Sequence, residues 1–347
     1  MPTGCGPPSP TRPGRTAYEK EISVSDVRPP DPVPDGVAAD LAGLRSALEA
    51  QLVPRTPDNL LIGTWNIRHL GGYTDKWTAT DGDSPKRDWH SMAALAEVIR
   101  RFDVTAIQET RRDTSALFAI LSLLGDDFRV IASDVTEGDK GNDERLAYIY
   151  DATRVQPSGL VGEIVLPADA EGEVKQFART PYAAGFVRNG VEFILTTVHV
   201  LWGKRPDDRL PELTAFAEWM RSWADRPKDW NRNLMVLGDF NIDRYEDPLW
   251  QAFFATGLSP PAVLHDVHRT IFDNDFDRHF YDQISWFTPT LADGTTVSRL
   301  EGLEFDQVGG NVDFLPHVLT GSGLDKQQMS WRISDHYPLW LEFLVSE

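Results

Sequence analysis

The sequence is poor in cysteine, in long apolar runs and in positive charge. Cys5 is the only cysteine among 347 residues, which excludes an internal disulfide framework and a cysteine-based metal site. No run approaches about 18 consecutive apolar residues, so we expect no membrane-spanning helix. The N-terminal residues lack the apolar stretch of a secretion signal, and we therefore expect a cytoplasmic protein.

Acidic side chains outnumber basic ones by 53 to 34, and the formal net charge is −19. Proteins that hold nucleic acid by bulk charge place lysine and arginine against the phosphates, so this composition argues against a static nucleic-acid binder. Carboxylates that bind a divalent cation can supply positive charge locally, which leaves enzymes that act on phosphates compatible with the sequence. The acidity therefore favours metal-dependent chemistry.

The chain divides into three segments by composition. Residues 1–35 are rich in proline and are predicted to be a disordered arm, available to contact an unknown partner or to act as a spacer. Residues 36–58 form a predicted amphipathic helix and linker, and the helix packs either on the main domain or on a partner. Residues 59–347 form one predicted catalytic domain, and we expect a monomer. The apolar face of the helix consists of Val37, Leu41, Leu44, Leu48 and Leu52.

From residue 59 onward, apolar runs that predict buried strands alternate with helical patterns. Helical spacing of apolar residues predicts helices around residues 92–99 and 213–223. This alternation predicts an α/β or α+β domain in which helices cover the sheets. The predicted strands are residues 60–68, 104–109, 145–151, 186–188, 191–200, 234–239, 281–287 and 339–344.

Polar residues stand at the ends of five of these strands. Any one of them is most simply a turn or capping residue, but that explanation weakens when carboxylate, amide and imidazole groups recur at the same structural place. Carboxylate and amide oxygens suit a hard ion such as Mg²⁺ or Mn²⁺ rather than zinc. The residues are Asn66, Glu109, His199, Asp239 with Asn241, and Asp335 with His336.

Five segments resemble, in order, the motif series of the endonuclease/exonuclease/phosphatase superfamily, and look most like its deoxyribonuclease I-type branch. The resemblance covers the chain from about residue 60 to 344. It implies a four-layered sandwich of two packed mixed β-sheets flanked by helices. It also implies an Mg²⁺-dependent nuclease that cleaves DNA or RNA by in-line attack of a histidine-activated water. The segments are TWNIRHLGG (64–72), IQETRRD (107–113), TTVHVLWGK (196–204), LGDFNID (237–243) and SDHYP (334–338).

The resemblance implies roles for the strand-end residues that bind metal and phosphate. Glu109 matches the principal ligand of the Mg²⁺ or Mn²⁺ ion, with Asn66 and Asp335 beside it. Asp239 and Asn241 match the pair that meets the scissile phosphate.

Two histidines match the family's proton-transfer groups, and each needs a carboxylate that fixes its tautomer. His336 corresponds to the general base and His199 to the general acid, which Glu144 orients. Asp282 in YDQI is our choice for the partner of His336. Asp306 in EFDQVGG has a similar local sequence and remains an alternative.

Substrate contacts are implied more weakly. Arg111 matches an arginine that reaches the DNA minor groove, and Arg179 matches an arginine that contacts phosphate. Arg145 and Trp202 are further candidates for the substrate cleft. Residues 141–143 (Gly-Asn-Asp) replace the branch's tyrosine, and its disulfide is absent, which puts duplex binding like that of the secreted enzymes in question but not hydrolysis.

Two other interpretations remain open. A phosphatase or phospholipase C-type phosphodiesterase acting on inositol phosphates or sphingomyelin belongs to the same superfamily, and the net charge favours it. A non-catalytic binding module is disfavoured because no matched position carries an inert residue. A structural Ca²⁺ site is weakly indicated by alternating Asp273, Asp275 and Asp277, although Arg278 replaces the glycine that a calcium loop requires.

Overall fold

The computed structural model describes residues 27–137, 141–167, 174, 176–275, 279–289 and 297–346. Most of the proline-rich arm lies outside these residues, so its disorder stays a prediction. Within the described part of the chain, no helix is long and apolar enough to cross a membrane. The α-helices are α1 (Asp35–Gln51), α2 (Trp89–Ile99), α3 (Ser115–Leu124), α4 (Leu210–Ala224), α5 (Pro248–Phe254) and α6 (Lys326–Arg332).

Thirteen strands among the described residues form two mixed sheets. The first has the order β11-β13-β1-β2-β4-β3, with β12 also paired to β13, and the second has the order β5-β6-β7-β8-β10-β9. One pair in each sheet is parallel, β1 with β2 and β7 with β8. The strands are β1 (Asn59–Leu70), β2 (Val104–Arg111), β3 (Phe128–Ala132), β4 (Glu144–Asp151), β5 (Gln156–Glu163), β6 (Tyr182–Arg188), β7 (Val191–His199), β8 (Leu234–Ile242), β9 (Leu258–Ser259), β10 (Phe280–Phe287), β11 (Leu303–Glu304), β12 (Gly309–Asn311) and β13 (Leu339–Val345).

Apolar side chains fill the space between the sheets and the space under the helices on each outer face. In β1, Leu60 and Ile62 belong to the core between the sheets, whereas Leu61 and Ile67 belong to the core under α1, α2 and α3. A separate core lies under α4 and α5 on the second sheet. Because the central strands are buried on both faces, their sequences read as continuous apolar runs. The predicted sandwich of two packed mixed sheets flanked by helices is confirmed.

Some helices and strands were not predicted from the sequence, because their apolar residues do not form a recognisable helical or strand pattern. β5 has the sequence QPSGLVGE and lies at a sheet edge with mostly exposed residues, so it lacks an apolar run. Helix α3 has the sequence SALFAILSLL, in which almost every residue is apolar, so helical periodicity cannot be seen. Short β3 was missed as well. The strands that carry the predicted site residues were all found, with bounds that differ by a few residues.

Helix α1 packs on the rest of the folded chain rather than presenting its apolar face to solvent. Leu44 and Leu48 are buried in the core that α1 shares with α2. Asp40, also buried, lies 2.9 Å from Nε2 of His90 and accepts a hydrogen bond from the backbone N–H of Thr320 at 2.9 Å. Of the two alternatives left open by the sequence, the structure shows that this helix packs on the main domain of its own chain.

The buried face of α1 gives a prediction about stability. Leu48→Ala is expected to lower the free energy of unfolding by about 2–5 kcal/mol, because it leaves a cavity in a fully buried position. Chemical denaturation followed by circular dichroism measures this. Ser46→Ala, on the exposed face of the same helix, is the matched control and should change stability by no more than about 0.5 kcal/mol. Equal stability of the two variants would contradict the docking of α1.

Candidate active site

The pairing of three strands in the second sheet brings distant polar residues together. β7 and β8 pair in parallel so that His199 stands opposite Asp239. β10 pairs with β8 from the other side in antiparallel orientation, and this places Asp282 opposite Asp239 as well. Asp239 is therefore the neighbour of both residues across the sheet, although the three are far apart in the sequence.

Gly238 permits the close approach of β7 and β8 just before Asp239. Its φ is +134°, in a region that side chains other than glycine rarely adopt, and a Cβ atom built here would lie 2.2 Å from the carbonyl oxygen of Val198. The glycine of the GDFN sequence is thus required by backbone geometry.

His199 forms the first histidine–carboxylate dyad with Glu144, which begins β4. Its Nδ1 lies 2.8 Å from Oε2 of Glu144, and Glu144 is also contacted by Nε of Arg179 at 2.7 Å and by Nδ2 of Asn142 at 2.6 Å. Burial alone would raise the pKa of Glu144, but His199, Arg179 and Asn142 outweigh it and hold that pKa at about 2. Burial and the Arg179 charge lower the pKa of His199, yet Glu144 and Asp239 raise it above its ordinary value overall.

His336 forms the second dyad with Asp282. Its Nδ1 lies 2.7 Å from Oδ2 of Asp282, and its carbonyl oxygen accepts a hydrogen bond of 2.8 Å from Nε1 of buried Trp65. Burial raises the pKa of Asp282 to about 6 even though the His336 charge opposes this shift. Burial alone would lower the pKa of His336, but nearby carboxylates, Asp282 foremost, hold it well above its ordinary value. The alternative partner, Asp306, is exposed on the chain beyond β11.

The two dyads converge on one carboxylate. Nε2 of His199 lies 3.7 Å from Oδ2 of Asp239, and Nε2 of His336 lies 3.9 Å from the same oxygen. Asp239, Asp282 and His336 also place potential ligand atoms within 4.8 Å of one another. Because Asp282 and His336 already bond to each other, we interpret this group as a dyad beside Asp239 rather than as a cation site.

Glu109 lies at the end of β2 in a strained conformation. Its φ is +61°, and the pairing of β2 with both neighbours shifts register beside it. Its Oε2 accepts a hydrogen bond from the backbone N–H of His69 at 2.9 Å, and its Oε1 accepts one from Nδ2 of Asn66 at 3.2 Å. A left-handed conformation in a residue other than glycine is costly and is often found at functional sites.

The oxygen atoms around Glu109 fit a hard divalent cation. Nδ2 of Asn66 donates to Glu109 and, at 2.9 Å, to Oδ2 of Asp239, which leaves the buried Oδ1 of Asn66 without a hydrogen-bond partner among the described residues. Such an orphaned acceptor beside carboxylates is what a cation or its bound water would satisfy. Asp335 lines the same pocket, with Oδ2 3.3 Å from Nη1 of Arg68.

One surface pocket is lined by Glu144, His199 and His336 of the two dyads and by two of the predicted metal ligands, Glu109 and Asp335. Asn66 and Asp282 are buried and are not part of the lining. Arg179 and Trp202 also line it. Arg111 and Arg145 are not part of the lining: Nη1 of Arg111 lies 3.4 Å from Glu144, and Nη1 of Arg145 donates to the carbonyl of Ser133. The remaining predicted residues that line the pocket are Asp239 and Asn241.

Sequence reasoning missed several residues of this pocket. His69 lies near the end of β1, the strand of Asn66, while Phe272, Asp273, His279 and Tyr281 come from the region before and at the start of β10. Only its position immediately before Asp282 could have indicated from the sequence that Tyr281 lies in the pocket. Asp273 was considered for calcium, but its Oδ2 lies 2.6 Å from Nδ1 of His279. Since Asp277 is outside the described residues, the structural Ca²⁺ site stays a prediction.

Comparisons with known proteins identify the relatives of this chain. The sequence model of the endonuclease/exonuclease/phosphatase family matches residues 63–336. A deoxyribonuclease of Thioalkalivibrio sp. (strain K90mix) is 26% identical over 294 residues, which cover 82% of this chain and 71% of that protein. The human Nocturnin catalytic domain superimposes with a TM-score of 0.53 and 16% identity, covering 85% of this chain and 97% of that one. A mannosyl-6-phosphatase of Bacteroides thetaiotaomicron superimposes with a TM-score of 0.50 and 16% identity, and the match covers 82% of this chain and 99% of that one. The two solved structures share the fold with this chain.

Proposed function

The chain belongs to the endonuclease/exonuclease/phosphatase family, and from this premise we propose that it is a divalent-metal-dependent phosphodiesterase that cleaves nucleic-acid backbones. The observation that carries the proposal is the convergence of two histidine–carboxylate dyads on Asp239 in one pocket. The similarity to the Thioalkalivibrio deoxyribonuclease supports nucleic acid as the substrate class.

The two dyads supply the proton transfers that hydrolysis of a phosphodiester needs. Asp282 holds Nδ1 of His336, so Nε2 is the nitrogen that takes a proton from the attacking water. Glu144 holds Nδ1 of His199 in the same way, and Nε2 returns a proton to the leaving oxygen as the phosphorus–oxygen bond breaks. The raised pKa of His199 suits an acid that must be protonated near neutral pH.

Glu109, Asn66 and Asp335 are the residues that would hold the metal, Mg²⁺ or Mn²⁺. A divalent cation at these oxygens would neutralise phosphoryl charge and offset the carboxylates that keep the His336 imidazole protonated. Arg179, which lines the same pocket, would also bind the phosphate. Its Nε contacts Glu144, while its buried Nη1 has no hydrogen-bond partner among the described residues. Asn241 lines the pocket next to Asp239, with its Nδ2 fixed by the carbonyl of Val200 at 2.7 Å.

A second candidate, a phosphatase or phospholipase C-type phosphodiesterase, is favoured by the charges around the pocket. Basic side chains there are paired with carboxylates, as in the contacts of Arg112 with Glu137 at 2.8 Å and of Arg68 with Asp335 at 3.3 Å. Paired arginines attract a long polyanion less than free ones do. A small phosphoester would not need such attraction.

Incubation with a panel of substrates separates the two candidates. The protein is mixed with plasmid, single-stranded DNA, RNA and a chromogenic phosphodiester, with and without Mg²⁺. We expect Mg²⁺-dependent shortening or nicking of at least one nucleic acid. Dye release with every nucleic acid left intact would favour the phospholipase C-type phosphodiesterase, and no hydrolysis of any substrate would overturn the proposed nuclease. The double variant His199→Ala/His336→Ala, purified identically, controls for contaminating nucleases.

A further inference from the structure

Aromatic side chains form one wall of the active-site pocket. This aromatic wall consists of Trp202, Phe272, His279 and Tyr281, all of which line the pocket. Trp202 and Tyr281 meet edge to face with ring centroids 5.5 Å apart, and His279 stacks on Tyr281 at 4.5 Å. Trp202 is 50% exposed and Phe272 is 42% exposed. Large apolar surfaces that stay exposed inside a polar pocket mark a place for a ligand.

Trp202 is held in place by Arg209, which packs against one face of its ring. The guanidinium of Arg209 lies 4.0 Å from the centre of its ring, and Arg209 is itself almost fully buried. Arg209 donates to the carbonyl of Trp202 at 2.6 Å, to that of Asn241 at 2.7 Å and to Oδ1 of Asp243 at 2.7 Å. Because Arg209 is fixed by these bonds, the exposed part of the Trp202 ring is a preorganised stacking surface rather than a mobile side chain.

The aromatic wall lies next to the groups assigned to catalysis. The ring centroid of Tyr281 is 5.8 Å from that of His336. Nδ1 of His279 lies 2.6 Å from Oδ2 of Asp273, which fixes the ring within the lining of the pocket. A planar group stacked on this wall would therefore adjoin a phosphate placed between the two dyads.

Among the described residues, arginines near the pocket are paired with carboxylates. Arg111 and Arg179 both contact Glu144, and Arg205 contacts Asp208 at 3.5 Å. Duplex binding relies on several free basic side chains along the phosphates, whereas single-strand binding obtains much of its affinity from stacking of bases on aromatic rings.

We propose that the aromatic wall binds an unpaired nucleobase next to the scissile phosphate, so that the enzyme acts on single strands in preference to duplexes. This inference rests on the proposed function, because it names the form of nucleic acid that the same site accepts. A paired base must leave its double helix before it can stack on a side chain in this pocket. The loss of base pairing and stacking has a free-energy cost that does not arise for an unpaired base in a single strand.

A quaternary ammonium group is the other ligand that aromatic rings in an acidic protein could attract. The position of Arg209 argues against it. One face of Trp202 already lies over a guanidinium, and a second cation would be repelled by that charge. A neutral base stacked on the ring meets no such repulsion.

The test compares oligothymidylate with a backbone-matched oligomer of abasic residues, and single strands with their duplexes, using the full chain with Mg²⁺. The unmodified protein should cleave the single strand faster than the duplex and should prefer oligothymidylate to the abasic oligomer. Trp202→Ala should raise KM for oligothymidylate about 10- to 100-fold and leave KM for the abasic oligomer nearly unchanged. Trp202→Phe should restore most of the loss, since it retains a stacking ring.

Trp230→Ala is the matched control, because Trp230 is 44% exposed and does not line the pocket. It should leave KM for both oligomers unchanged. An equal effect of Trp202→Ala on both oligomers, or inhibition by phosphocholine that Trp202→Ala relieves, would overturn the inference while the nuclease assignment stands. Absence of cleavage of every nucleic acid would overturn the proposed function and this inference with it.

Discussion

Replacement of either dyad histidine is expected to remove most of the hydrolytic activity. His336→Ala and His199→Ala should each lower kcat by about 10²–10⁴-fold, the usual contribution of a positioned acid or base. Each imidazole has its Nδ1 fixed by a buried carboxylate, and its Nε2 lies within 4 Å of Oδ2 of Asp239, so its replacement removes a positioned proton-transfer group. Initial rates at saturating substrate and Mg²⁺ measure the loss.

His317→Ala is the control for these variants. His317 lies on the short helical turn 315–317 and is not part of the pocket lining, so its replacement should leave kcat unchanged. Thermal unfolding establishes that the variants are folded. Full activity in either dyad variant would rule out the paired-histidine scheme.

Removal of divalent cations is expected to abolish turnover, and Mg²⁺ or Mn²⁺ should restore it. The pocket contains Glu109, Glu144, Asp239 and Asp335, whereas Arg179 is its only arginine or lysine among the described residues and already contacts Glu144. Two like charges 4 Å apart repel by about 4 kcal/mol at an effective dielectric of 20, so the pocket alone would repel a phosphate. Rates after dialysis against EDTA, followed by titration with MgCl₂ or MnCl₂, measure the requirement.

Glu109→Gln sharpens this experiment. Loss of the carboxylate charge should raise the Mg²⁺ concentration needed for half-maximal activity, whereas Asp306→Asn, on an exposed residue outside the pocket, should not. Activity that survives exhaustive chelation, or an unchanged Mg²⁺ requirement in Glu109→Gln, would exclude the proposed metal site.

Local sequence was sufficient to find the strands of the site but not their neighbours in space. The apolar runs before Asn66, Glu109, His199 and Asp239 predict buried strands whose ends carry polar groups. The choice of Asp282 over Asp306 came from resemblance, since no local signal separates the two. The physical reason for it is the antiparallel register of β10 with β8, which places Asp282 opposite Asp239.

Pocket residues that lie outside the helices and strands could not be predicted from the sequence for a different reason. Phe272 and His279 belong to no periodic pattern and lie outside the helices and strands. His69 lies in β1, just beyond the end that the sequence predicts for that strand. The interpretation of Asp273 as a weak calcium ligand arose from spacing alone, whereas in the folded chain the side chain of His279 is its partner. The spacing of acidic residues along the chain does not predict this contact between Asp273 and His279.

The position of Asp239 between the two imidazoles couples the two histidines electrostatically. Binding of a proton at one histidine changes the electrostatic potential at the other through the carboxylate they share. The inflections of a rate profile against pH would then be macroscopic constants of the two histidines together, and replacing one histidine would displace the inflection of the other.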